Sequence, residues 1–599
     1  MAPIFLFLLA LLLPTTWVSA AVDVSTLDVH NVPCNATTTA CECREDADVC
    51  VFNITIQLFH SFARYYIDST YGELINTART YYFGDDGELY GHTGPGHPFC
   101  RNFTTEPTDT CTPVYTFDGS TFKSFIGVNG QVPGPALIVW TDQTVVVNVN
   151  NRLQMETVSI HWHGMSQYNT YFMDGVHHIT QNPIDPQRSF RYIFKANPSG
   201  THWYHSHTGV QRSDGLFGAL IVRERPNVEN QVRQALPKEL KQYQDKPAEH
   251  TVIIIDWFRE VAIDAYSLLE SAIWFYSNSG LSPPGADDPP EPFTIGPDGK
   301  EAGNFPFWSA LINGEGKHPD NNFPYLESRL HTFRVDPGQV YRFRLIGSIN
   351  NYVFRFSIDE HQLWVVGTDG YWVDPVLVDY IALHSGERYD FLLIAKASPS
   401  KSDFWIRSEA QEIDVEENTT PSEPAPYRLL LDRAAEAILH YNLPGSSLPT
   451  SRDYVHIKEN SVPVNSTCTA SNPCKMMNCP WNIHSAYLLS CIYVDSLRLI
   501  IPTPDNLLPK ATPDEEIFFQ FGTEGVGSLS SVNGRRTVFP SVPPGMTDDE
   551  EFQQVFDAEY CKDLGNPELC SGVRQTVFNP NCSCVHARNL DYRGWMLCA

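Results

Sequence analysis

Between residues 112 and 467 this 599-residue chain has no cysteine, although it carries 15 in all. The thiols fall into two groups. Cys34, Cys41, Cys43, Cys50, Cys100 and Cys111 come early, and Cys468, Cys474, Cys479, Cys491, Cys561, Cys570, Cys582, Cys584 and Cys598 come late. The bare middle must rely on its own apolar core, while the flanks read as disulfide-stapled, loop-rich segments of an exported chain. The odd total leaves at least one thiol over or pairs it between chains, with Cys598 the first candidate. Basic residues are scarce as well: Lys and Arg number 41 against 70 Asp and Glu, a formal charge of −29. That balance argues against nucleic acid and anionic membrane surfaces as partners. Long amphipathic helical patterns are few, and after residue 20 no run is apolar enough to span a membrane.

What is present begins with a secretory signal over residues 1–20. Phe5-Leu6-Phe7-Leu8-Leu9-Ala10-Leu11-Leu12-Leu13 is too short to cross a bilayer, and Val18-Ser19-Ala20 is a small-residue cleavage site. The expected product is soluble and secreted. Sequons at Asn35, Asn53, Asn102, Asn418, Asn465 and Asn581 fit a glycosylated surface. The length is too great for one core. Short β-rich runs divided by Pro, Gly and Asn predict an all-β chain of sandwiches or barrels. Ala136-Leu137-Ile138-Val139-Trp140, Thr144-Val145-Val146-Val147-Asn148-Val149-Asn150 and the alternating Ser189-Phe190-Arg191-Tyr192-Ile193-Phe194 read as strands, and Gly218-Ala219-Leu220-Ile221-Val222 closes the unit. The divisions expected are a Cys-rich N-terminal extension over 21–111, a first β unit over 112–228, a second over 245–500 with a Cys-rich linker, and a partial third over 505–599. A Pro-, Gly- and Asp-rich stretch at 281–303 reads as an exposed insertion, and 412–425 as an acidic linker.

Two motifs carry chemistry: His161-Trp162-His163-Gly164 and Trp203-Tyr204-His205-Ser206-His207. Each sets two imidazoles at i and i+2, which on a strand share one face. Two such strands side by side would converge His161, His163, His205 and His207 on a transition-metal site. Imidazole suits copper, zinc, iron and nickel, so ligand type leaves the metal open. His177 and His178 are adjacent and would point to opposite strand faces, which favours a loop role over a shared metal. His202 has the wrong parity from His205 and reads as packing. Trp162, Trp203 and Tyr204 read as core or supporting aromatics, and His92 and His97 as solvated turn residues. The run Asp548-Asp549-Glu550-Glu551 reads as an ordinary solvated face.

These residues resemble the multicopper oxidases, and more narrowly their animal laccase-like branch. The likeness spans roughly residues 112 to 585. It rests on landmarks in order: Asn129-Gly130 through Pro135, the motif at His161, Met173-Asp174-Gly175, Thr180-Gln181-Asn182-Pro183-Ile184, Gly200 through His207, and Asp214-Gly215-Leu216-Phe217-Gly218-Ala219. Ile312-Asn313-Gly314, Arg342-Phe343-Arg344-Leu345-Ile346 and Gly386-Glu387-Arg388-Tyr389-Asp390 follow. The Cys-rich leader before Thr112 also looks like that of animal laccases, whereas Asn182 stands where many of them carry Cys. The resemblance implies tandem cupredoxin-like Greek-key sandwiches and a blue type 1 copper in the third. It also implies a trinuclear type 2/type 3 copper cluster between the first and third, oxidising small phenols with O2. By the same resemblance His161 would bind the type 2 copper, and His163, His205 and His207 the type 3 pair. Asp174 would be the acidic group that assists proton delivery.

The family's other motifs, H-P-x-H-x-H and H-C-H-x-x-x-H, are absent from these 599 residues. After Tyr441 the histidines are His456, His484 and His586, none in H-x-H spacing, and the segment after Cys582-Ser583-Cys584-Val585-His586 departs from the family pattern. The expectation is a chain that stops inside its third domain, lacks type 1 ligands and holds half of the cluster site. Such a chain would not itself reduce O2. A non-catalytic copper-binding or decoy product and a metal-ion oxidase of the same fold are the competing readings.

Overall fold

In the computed structural model the described residues are 27–35, 37–60, 117–119, 123–264, 308–318, 329–414, 427–450, 453–479 and 488–501, with short paired strands elsewhere. They form two β-sandwiches in tandem. The first comprises β1 (Val29–Asn31), β2 (Ala40–Glu42), β3 (Val49–His60), β4 (Ser124–Val128), β5 (Gly134–Trp140), β6 (Thr144–Asn151), β7 (Ile160–His163), β8 (Ser189–Lys195), β9 (Gly200–Ser206) and β10 (Phe217–Arg223). One sheet runs β1-β3-β6-β8 with β4 beside β3, and the other runs β7-β9-β10-β5-β2. The predicted strands fall where the alternation placed them. In β6 every second residue is buried, and Val145, Val147 and Val149 have no solvent exposure. Tyr192 and Phe194 of β8 join them, facing Trp162, Tyr204, Leu137 and Leu220 of the second sheet in one core. Burial of each such large side chain contributes about 1.5–3 kcal/mol.

The described part of the Cys-rich N-terminal extension pairs into this sandwich. β3 pairs in parallel with β6 and antiparallel with β4, and β2 pairs with β5. The reason is a second period-two pattern, with Cys50, Phe52, Ile54 and Ile56 all fully buried in the first core. The bonds Cys34–Cys41 and Cys43–Cys50 therefore staple strands of the sandwich itself.

The polar stretch after β10 contains helix α1 (Pro226–Ala235), started by a proline whose missing N–H costs nothing there. Val232, Leu236 and Leu240 pack against Val340, Trp372 and Leu392 of the second sandwich. That sandwich comprises β11 (Thr251–Trp257), β12 (Ser309–Ile312), β13 (His331–Val335), β14 (Val340–Gly347), β15 (Val353–Ile358), β16 (Leu363–Thr368), β17 (Tyr371–Val378), β18 (Tyr380–Leu383), β19 (Arg388–Ile394), β20 (Asp403–Asp414), β21 (Tyr427–Tyr441), β22 (Cys474–Met477) and β23 (Leu489–Ile492). Its sheets run β12-β11-β14-β19-β16-β17 and β13-β21-β20-β15-β18-β22-β23. The Cys-rich linker thus joins a sheet edge, held by Cys468–Cys474 and Cys479–Cys491.

Between the sandwiches, Trp203, Phe217, Ala219 and Ile221 pack on Ile253, Ile255, Trp257 and Leu311. The histidine strands β7 and β9 lie at one edge of the sheet that makes this contact. No helix among the described residues is long and apolar enough to cross a membrane. Asn35, Asn53 and Asn465 are exposed. The signal segment, His92, His97, His484, His586, Cys100, Cys111 and all cysteines after Cys491 lie outside the described residues. So do the acidic run at 548–551, most of 281–303 and 412–425, and the expected third unit, apart from the short strands Thr294–Ile295, Phe521–Glu524 and Leu529–Val532.

Candidate metal centre

β7 and β9 pair antiparallel with His161 opposite His205 and His163 opposite Trp203. The backbone N–H of His207 donates to Ser159 at 3.0 Å and extends the ladder by one row. Strand alternation does the rest. Trp162 and Tyr204 point into the first core, and His161, His163, Trp203 and His205 share the opposite face. One ring nitrogen from each of His161, His163 and His205 lies within 4.8 Å of the others. The His207 ring stands 5.5 Å from that of His161 and 6.0 Å from that of His205. The sequence-predicted set is thus brought together, three histidines tightly and His207 at the exposed rim.

Hydrogen bonds fix which nitrogens are on offer. His161 Nδ1–H donates to the Asp174 carbonyl at 2.8 Å, and His205 Nδ1–H to the Ser206 carbonyl at 2.8 Å. Each leaves a bare Nε2 lone pair. His163 differs: its Nδ1 lies 3.3 Å from His205 Nε2, so Nδ1 is the atom it turns toward the group. Its ring stacks on Trp203 at 4.9 Å.

Electrostatics favour the neutral form of His163, His205 and His207. Burial, then the Arg388 guanidinium and His161, push His163 down to about 2. Burial, then Arg212, holds His205 well below the usual imidazole range. His207 is lowered too, by partial burial and then by His161. A neutral imidazole binds metal without first releasing a proton. The donor set therefore fits a transition metal that accepts nitrogen ligands.

Asp174 follows the short helix Tyr171–Met173, and its carboxylate sits 3.4 Å from His161 Nδ1. The turn is pressed against β7 so closely that a Cβ on Gly175 would stand 1.8 Å from the Ile160 carbonyl oxygen. With φ at +85°, only glycine serves there.

His202 is fully buried, donating from Nε2 to the Pro198 carbonyl at 3.1 Å, with Nδ1 3.4 Å from the Arg388 Nη2. Trp162, Trp203 and Tyr204 are all fully buried, and Trp203 also stacks on the site. His178 is exposed with φ +61°, while the His177 ring lies 6.5 Å from that of His207. His177 and His178 lie in a loop, the role expected of them, and that loop brings the His177 ring near His207. Arg212 was not singled out from the sequence, and Arg388 stood there only within the landmark Gly386–Asp390, with no role at the site. Their signal is tertiary, and Arg388 comes from the second sandwich.

Residues 111–227 and 296–427 each match a family model described as multicopper oxidase. These two stretches are multicopper oxidase domains. Among curated relatives, Laccase-1 of Thanatephorus cucumeris is 32% identical over 332 residues, 52% of this chain and 50% of that protein. L-ascorbate oxidase of Cucurbita pepo var. melopepo is 32% identical over 294 residues, 47% of this chain and 46% of that one. The chain thus spans about half the length of the curated relatives it matches. A solved laccase from Botrytis aclada aligns at TM-score 0.40 and 26% identity, over 56% of this chain and 52% of that one.

Proposed function

We propose that this chain contributes one half of a trinuclear copper cluster to a secreted laccase-like oxidase, of the animal branch, that couples one-electron oxidation of phenols to reduction of O2 to water. The convergence of His161, His163 and His205 nitrogens within 4.8 Å carries the reading. His161 would hold a type 2 copper and His163, His205 and His207 a type 3 pair. Copper held there supplies one-electron redox chemistry that side chains lack. The protein's own part is to fix the lone pairs and to manage protons. Asp174 is placed for the second task, since its carboxylate touches His161 while keeping 27% of its surface open to solvent. Tyr171 and Phe172 beside it are exposed by 71% and 46%, an apolar rim on the side of the metal face.

The second four-histidine half and the type 1 ligands have no motif in these 599 residues. A polypeptide of this sequence is therefore expected to bind copper and not to turn over O2, which also makes a non-catalytic copper-binding role compatible with the site. Copper content and affinity of the purified chain test the reading against a His163→Ala/His205→Ala variant. The variant should lose at least about 100-fold in copper affinity, given that 10–100-fold follows loss of a supporting group alone. Equal copper retention would sink the assignment, and steady oxygen uptake with a diphenol or with ascorbate would refute the expected inactivity. The L-ascorbate oxidase relatives are the reason for the second substrate.

A further inference from the structure

The floor of the metal face is not made by the first sandwich alone. The turn before β19 reaches across from the second sandwich and meets the histidine strands at three points. Arg388 Nε donates to the Thr201 carbonyl of β9 at 3.0 Å, and its Nη2 lies 3.4 Å from His202 Nδ1. Its Nη1 donates to the Gly386 carbonyl at 3.1 Å and pairs with Asp369 at 2.8 Å, so the fork is fixed at both ends. Gly386 itself lies against His163: a Cβ there would stand 2.9 Å from Cε1 and 3.2 Å from Nε2 of that ring. Its φ of +83° also belongs to glycine. The Nε2 edge of His163 is thus closed by the second sandwich, and the ring has only Nδ1 to offer its neighbours.

We propose that Gly386 and Arg388 are positioning residues of the metal centre: docking of the second sandwich selects the Nδ1 atom of His163 and holds the His205 strand in register with it. The metal affinity of histidines in one sandwich is then set by a turn in the other. This rests on the metal-site reading above, and it adds a control element that the histidine motifs do not contain. A guanidinium suits the task because its planar fork meets a carbonyl, a ring nitrogen and a carboxylate at once, which an ammonium does not.

The test uses the whole chain with Arg388→Gln, Arg388→Lys and Gly386→Ala, beside Arg355→Gln as a control. Arg355 belongs to a buried pair with Glu409 at 2.6 Å, on the other sheet of the second sandwich. Cuprous affinity is measured by competition with a chromogenic chelator, and thermal stability in parallel. Arg388→Gln and Gly386→Ala should weaken copper at least tenfold, with Arg388→Lys between them and the parent. Arg355→Gln should lower the melting temperature yet leave affinity unchanged. A metal-free readout separates this proposal from the functional one. In histidine-selective 15N spectra the His163 Nδ1–H to His205 Nε2 hydrogen bond should be present in the parent and lost in Arg388→Gln. If the parent binds no copper, the functional reading fails and the 15N spectra alone decide the positioning role. Unchanged spectra, or copper affinities that track melting temperature equally in Arg355→Gln and Arg388→Gln, would overturn it.

Discussion

Arg342→Ala is expected to cost the fold about 3–5 kcal/mol, the range seen when one partner of a buried ion pair is removed. Arg342 is 1% exposed and lies among three buried carboxylates. Its Nη1 meets Glu224 at 3.1 Å, and its Nε donates to Asp390 at 3.1 Å. Arg344 takes up Asp245 at 2.7 Å and Thr201 Oγ1 at 2.9 Å, while Trp372 Nε1 donates to Glu224 at 2.7 Å. Burial alone would push the Asp245 carboxyl up, but Arg344 and Arg342 outweigh it and hold it at about 2. Asp390 is likewise held low against its burial, by Arg342 and then Arg344. Removing Arg342 would leave three acids facing one remaining cation in a site that water does not reach. Glu224 and Thr201 belong to the first sandwich and Arg342, Arg344 and Asp390 to the second, so the damage falls on the joint between them. Urea unfolding should show a lower midpoint and a split transition. The exposed pair Arg44–Asp28, with about half of each side chain in solvent, gives the contrast, and Arg44→Ala should cost at most about 1 kcal/mol. Similar losses from the two variants would mean that the buried network does not couple the sandwiches.

The convergence of the histidines was legible because its information is local. Two H-x-H pairs on strands fix a shared face, and one antiparallel register then sets His161 opposite His205. What escaped notice depends on contacts distant in sequence or on competing signals. Arg388 meets His202 across 186 positions, and no spacing rule connects them. The strand Val49–His60 does alternate, through Cys50, Phe52, Ile54 and Ile56, yet its cysteines pointed more strongly to a stapled leader. The loop role read for His177 and His178 agrees with His178 at positive φ, but the approach of His177 to His207 is set by that loop's path and has no spacing signal.

Acid should unfold the metal-free chain unusually early, and histidines outside the set His161, His163, His205 and His207 are enough to cause it. Burial chiefly, with Arg388 next, lowers His202 to about 3. Burial lowers His361 to about 4 and His250 below its usual range. Each has a geometric reason to stay neutral. His202 Nδ1 faces the Arg388 guanidinium. His361 Nδ1–H donates to the Asp359 carbonyl at 2.8 Å, so its Nε2 must accept from the Tyr441 hydroxyl at 2.6 Å. His250 donates from Nε2 to the Arg334 carbonyl at 3.0 Å, and its buried Nδ1 finds no acceptor for a second proton among the described residues. In the unfolded chain these rings titrate near 6.5. Below that pH the unfolded state takes up protons that the folded state refuses, so stability is complete above 6.5 and falls as pH drops toward 3. Each group contributes a slope of about 1.4 kcal/mol per pH unit, so His202 and His361 together remove about 4 kcal/mol by pH 5. Asp245 and Asp390 extend the loss below 3.8, where their stabilising charge begins to be protonated in the unfolded chain. Unfolding free energies between pH 4.5 and 7 should therefore show an uptake of at least two protons, and His361→Gln should reduce the slope by about one. A flat profile over that range would mean that these imidazoles are protonated in the folded protein. Copper held as proposed should flatten the profile only in part, because it would remove His163 and His205 from the titration and leave His202, His250 and His361 untouched.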